Sequence, residues 1–128
     1  MNQYDWLDGY LLAKPGCVKD FKMEWGWLRY QVGGRMFAAI CQPHSEHSAY
    51  ECRELVTLKC EPLLADALRA QYPDIVPGFY MDKQHWNSVY LDGELPEEEL
   101  RGLCDRSYRL VFEKLTKKLQ KELAESRI

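Results

Sequence analysis

Long apolar runs are missing from this sequence. Nothing in its 128 residues approaches the roughly 20 consecutive apolar positions that a bilayer span requires, so no transmembrane helix and no membrane partner are expected. Positive charge is missing from the N-terminal MNQYDWLDGY, where no base precedes Lys14. The form of a secretory signal is therefore absent, and the expected location is the cytoplasm. Catalytic signatures are missing too: there is no glycine-rich phosphate loop, no nucleophile elbow and no HExxH pair, so neither an enzyme nor a cofactor is expected. Seventeen bases against twenty acids leave a net charge of −3, which argues against a strong non-specific nucleic-acid binder and confines any DNA contact to a local patch. Cys17, Cys41, Cys52, Cys60 and Cys104 are odd in number and irregular in spacing, so no disulfide framework is expected.

What remains is a folding composition. With 46% hydrophobic and 12% aromatic residues the chain is too apolar for disorder, and its length fits one domain, residues 1–128, able to bury roughly two thirds of its unfolded surface. Leu7, Tyr10 and Leu11 make one helical face that Pro15-Gly16 ends. From Met23 the apolar alternation runs 23, 25, 27 and then 28, 30, 32, so its phase changes at Gly26, where a bulge or bend is expected. Gly33-Gly34 between WGWLRYQV and RMFAAICQ marks a two-residue hairpin. Residues 54–60 alternate as a third strand, and Pro62 opens a helix that Pro73 closes. PDIVPG reads as a connection, GFYM as a short strand and WNSVYL as a stronger one, before a long last helix from Leu95-Pro96 to about Ala124. The order α-β-β-β-α-β-β-α predicts an α+β fold, an antiparallel sheet with helices packed on one side.

KPG at 14–16, VGGRMFA at 32–38, LKCEP at 58–62, QYPDIVPGFYMDKQHWNSVYLDGELP at 71–96 and Ser107-Tyr108 together resemble the MmcQ/YjbR family of small bacterial proteins. That resemblance implies a frataxin-related α+β fold described as a double-wing DNA-binding motif, in a bacterial cytosolic protein without assigned catalysis. The chain departs from the family pattern at Glu61, a poorer N-cap than aspartate or serine, and in the histidine-rich loop 42–53.

Four constellations are candidates for function. Lys83, His85, Trp86 and Asn87 offer a phosphate partner, a stacking ring and an amide suited to an adenine edge. Strand parity divides them, since Trp86 goes with Ser88 and Tyr90 while Asn87 goes with Val89 and Leu91. The competing structural reading packs Trp86 on a helix and has His85 or Asn87 bonding a neighbouring turn. Arg106 to Lys121 carries six bases against Glu113, a segment able to follow a phosphate backbone; equally, acids at 97–99 and bases later are what a helix dipole favours. Cys41, His44, His47 and Cys52 are a tetrahedral donor set in composition, but their spacing is not that of a zinc finger. Trp25, Trp27, Arg29 and Tyr30 suit a protein interface. The leading expectation is DNA binding through Arg35, Lys83, His85, Asn87, Lys114, Lys117 and Lys118. The alternative is a homodimer or protein-partner module using the sheet surface.

Overall fold

The computed structural model describes residues 4–42, 53–79 and 81–125. In chain order these form α1 (Leu7–Leu12), β1 (Val18–Lys22), β2 (Trp27–Val32), β3 (Arg35–Cys41), β4 (Leu55–Lys59), α2 (Pro62–Gln71), β5 (Ile75–Pro77), β6 (Trp86–Tyr90), α3 (Glu97–Phe112) and α4 (Lys117–Glu125). The six strands lie in the order β1-β2-β3-β4-β6-β5, every neighbouring pair antiparallel. Among the described residues no helix is long and apolar enough to cross a membrane.

Register decides which side chains meet the helices. Tyr30 pairs with Ala38, Ala38 with Leu58 and Leu58 with Asn87, so these residues share one face, and successive strand residues alternate about them. On that face Tyr30, Val56, Leu58 and Val89 close onto Leu7 and Leu11 of α1, Ala65 and Leu68 of α2, and Leu100, Cys104 and Val111 of α3. This is the α+β arrangement with helices on one side that the pattern predicts. The opposite face is not bare: Trp27, Ala39, Cys41, Leu55 and Tyr90 are buried there beneath Phe79, with Met81 packed against them. The cover comes from the connection between β5 and β6.

Three details differ from the sequence expectation, each for a local reason. The phase change at Gly26, φ +70°, is the turn between two strands, because residues 18–22 form an additional edge strand. Four of its five side chains are exposed, so it carries no alternation to read. The short strand is Ile75–Pro77 in place of GFYM; it pairs with β6 at the sheet edge, where the missing N–H of Pro77 is tolerated. Finally, the last helix breaks. Thr116 caps a new helix by accepting a hydrogen bond from the Leu119 N–H at 3.1 Å, and the Gln120 amide donates to the Leu115 carbonyl at 2.8 Å, closing the end of α3.

Much of the family-like sequence serves this framework. The residues opposite one another step from Tyr30/Ala38 to Gln31/Met36, leaving Phe37 as a bulge in β3. Buried Ser107 secures it, donating to the Phe37 carbonyl at 2.5 Å and accepting from the Lys59 N–H at 2.8 Å. Next to it, the Tyr108 hydroxyl donates to the Pro15 carbonyl at 2.5 Å. At the start of α2, Glu61 makes no capping bond, as expected, and its carboxylate instead accepts from Arg106 at 2.9 and 3.1 Å.

Candidate nucleic-acid interface

The segment from Asp82 to Asn87 is a self-bonded turn feeding β6. Asp82 accepts from the Gln84 N–H at 2.9 Å, and its other oxygen lies 2.6 Å from His85 Nδ1. These bonds, the His85 contact first, hold the Asp82 carboxyl below the usual aspartate range. Lys83 donates to the Gly78 carbonyl at 2.8 Å, tying the turn to the cover of the helix-free face. Asn87 is 4% exposed. Its Oδ1 accepts from Arg69 Nε at 2.6 Å, and its amide donates to the Ala65 carbonyl at 3.3 Å. Arg69 also donates to the carbonyls of Lys83 and Trp86, so α2 grips the turn from one side.

Parity therefore divides the quartet as the strand pattern requires, but the tryptophan lies on the other side from the helices. Trp86 pairs with Lys59 on the helix-free face, with its Cβ against Gly78 so closely that a Cβ on Gly78 would fall 2.7 Å from it. Asn87, not Trp86, meets the helix. Of Lys83, His85 and Asn87, only the two at the turn present side chains to solvent, and both already have intramolecular partners.

A different gathering of charge lies at the far end of the sheet. Gly33 and Gly34 take φ of +59° and +78° in the β2–β3 hairpin, the geometry its two-residue turn requires. Leu115 and Leu119 pack over Gly33, where a Cβ would come within 2.8 Å of Leu115 and 3.2 Å of Leu119. This contact seats the α3–α4 junction, with exposed Lys114, Lys117 and Lys118, beside the hairpin that carries exposed Arg35. Lys59, at the end of β4, completes the corner. Its ammonium is held below the usual lysine range, first by burial and then by repulsion from Lys114 and Arg35, with Asp82 acting in the opposite sense.

The helix break changes how Lys117 and Lys118 read. On one long helix they would sit toward a C-terminal end that favours cations. In the fold they open α4, whose first turn contains no acid and whose dipole disfavours them. The helix dipole thus does not account for their position. Arg106 leaves the basic run for its pair with Glu61.

The other candidates resolve differently. Cys41 is buried among apolar side chains, and burial pushes its thiol up to about 12; His44, His47 and Cys52 lie outside the described residues. Among the described residues no three His, Cys, Asp or Glu side chains gather as a metal site, and Cys17, Cys41, Cys60 and Cys104 are free thiols. Trp27 is buried under Phe79, Tyr30 is buried on the helix side, and Arg29 pairs with Asp20 at 2.5 Å. Only Trp25 of that aromatic set stays exposed. A cleft of about 870 Å³ lies between α1 and the sheet and was not legible from sequence. Both of its lining cations are paired, Lys19 with Asp8 at 2.6 Å and Arg53 with Asp92 at 2.7 Å.

Comparison with known proteins gives consistent results. A family model described as YjbR matches residues 12–110. The uncharacterised YjbR protein of Escherichia coli is 34% identical over 116 residues, 91% of this chain and 92% of its own. The YyaQ protein of Bacillus subtilis is 40% identical over 57 residues, 44% of this chain and 48% of its own. Among solved structures, Deinococcus radiodurans protein DR2400, described by the domain DUF419, matches with a TM-score of 0.79 at 32% identity, covering 97% of this chain and 89% of its own. A Pseudomonas syringae crystal structure shares the fold, with a TM-score of 0.72 at 24% identity over 87% of this chain and 99% of its own.

Proposed function

The chain belongs to the YjbR family, and we propose that this member is a non-catalytic protein that contacts the phosphate backbone of DNA through the corner formed by Arg35, Lys59, Lys114, Lys117 and Lys118. The observation that carries this reading is the concentration of cations at one corner of an acidic protein, with Lys114 and Arg35 close enough to add their repulsion to the burial that lowers the Lys59 ammonium. A row of phosphates would relieve that repulsion, and neutralisation of phosphates supplies most non-specific affinity. The ring nearest the corner, Trp86 at 5.9 Å from the Lys59 ammonium, is buried, so the contact is to the backbone and not to base edges. Lys83 and His85 flank the site as framework, while Asn87 is withdrawn into α2.

The test is fluorescence anisotropy with a labelled DNA duplex. With five phosphate contacts the logarithm of affinity falls with the logarithm of salt at a slope of about −4.5, a loss of roughly 500-fold between 50 and 200 mM. Lys59→Ala, Lys114→Ala and Lys117→Ala each flatten that slope by about 1. No binding at 50 mM salt with about 100 μM protein refutes the reading, since non-specific binders reach that range even at physiological salt.

The sheet-face alternative has less support. Its helix-free surface is already occupied by Phe79 and Met81.

A further inference from the structure

We propose that the open edge of β1 joins two copies of this chain, the strands pairing antiparallel about a two-fold axis centred on Phe21. The proposal goes beyond the DNA reading and does not depend on it. Among the described residues β1 ends the sheet, and its neighbourhood holds most of the large apolar side chains left exposed: Val18 at 62%, Phe21 at 55%, Met23 at 79% and Trp25 at 53%. An edge strand carries a row of unpaired backbone groups, a template for another strand.

The direction of those groups follows from the turn. The Lys22 carbonyl accepts from the N–H groups of Trp25 and Gly26 at 3.1 and 2.8 Å, so it points into the hairpin toward β2. Strand residues alternate, which turns the N–H and C=O of Phe21 and Lys19 outward to the open edge. Two Phe21 residues can then face each other as a hydrogen-bonded pair, exchanging both bonds.

Charge selects the register. With Phe21 opposite Phe21, Asp20 of each copy stands opposite Lys22 of the other, and opposite charges on directly paired residues are favourable. Moving the axis to Asp20 sets two aspartates against each other, which is unfavourable. In the Phe21-centred arrangement Asp20, already held by Arg29 of its own chain, gains Lys22 of the other copy, while Lys19 keeps its own Asp8. On the helix side, Phe21 pairs with Leu28, and Leu28 and Lys19 line the mouth of the cleft, leaving room for the second Phe21 ring.

A second copy is therefore the occupant, by contrast with an extended peptide from another protein, which would not carry this self-complementary charge order. Sedimentation of the full chain at rising concentration should show a monomer–dimer equilibrium within about 1 mM, the weak end expected of a small contact. Phe21→Lys should remain monomeric throughout while melting like the parent chain. Phe21→Cys, under mild oxidation, should give a covalent dimer that the parent chain does not, since paired Cα atoms about 5.5 Å apart suit a disulfide. A parent chain that stays monomeric to about 1 mM overturns the proposal. So does a Phe21→Lys variant that still dimerises, or a Phe21→Cys variant that fails to cross-link.

Discussion

Asn87→Ala distinguishes a ligand-contacting asparagine from a structural one. In the fold its Oδ1 accepts a bond from the Arg69 guanidinium and its amide donates to the Ala65 carbonyl, both within a buried setting. Losing a bond to a charged group costs about 1.5–3 kcal/mol and a neutral one about 1, so the substitution should lower stability by about 3 kcal/mol. For a chain of this length that is a fall of about 10 °C in Tm. Urea unfolding measures the loss directly. Arg69→Ala alone should cost more, because Arg69 also bonds the Lys83 and Trp86 carbonyls, and the double variant should reveal a coupling of about 1–2 kcal/mol. DNA affinity of the folded Asn87→Ala protein should keep the parent salt slope. A stability loss below about 1 kcal/mol, or a selective loss of DNA affinity in a fully folded variant, would refute the structural assignment.

Two further outcomes follow from the geometry. Gly33→Ala places a side chain at φ +59° and 2.8 Å from Leu115, and should destabilise by about 2 kcal/mol, checked by thermal melting, while weakening DNA binding through displacement of the α3–α4 junction. Acid should also destabilise. Asp8, through bonds from Lys19 and then Tyr30, and Asp92, through Arg53, titrate below their unfolded value of 3.8; their contribution is complete above that value and disappears as pH falls through the lower folded one. The urea midpoint should hold steady from pH 6 and fall below about pH 4; a flat midpoint down to about pH 2 would contradict the ion-pair assignment.

The legibility of this chain tracks burial. β2 could be read because packing on one face forces apolar residues into period two, whereas β3, β4 and β6, packed on both faces, stand out as short buried runs between turn residues. β1 could not, because an exposed edge strand leaves VKDFK free of that constraint. The helix break was hidden for a related reason. Leu115 and Leu119 keep helical spacing across it, and only the capping capacity of Thr116 signals the interruption. For the site, residue type marked the cations of the hairpin and the last helices as surface charge and offered Lys59 as a further cation that could share their face. Its place among Arg35 and Lys114 depends on contacts far apart in sequence. Asn87 misled for the opposite reason: its amide chemistry suits a base edge and a buried Arg69 equally well.

The seating of α4 has a consequence for how the molecule breathes. None of its residues is buried; Leu119 and Leu123 only partly pack against the core, with Gly33 and Gly16 beneath them. A unit joined through so little apolar area opens at lower free energy than the whole domain, so its amides should exchange with solvent long before those of β4. Each such opening would carry Lys117 and Lys118 away from Arg35 and Lys59. The corner is then complete only in the closed population, and a polyanion bridging α4 to the hairpin would slow exchange in α4 by holding it there.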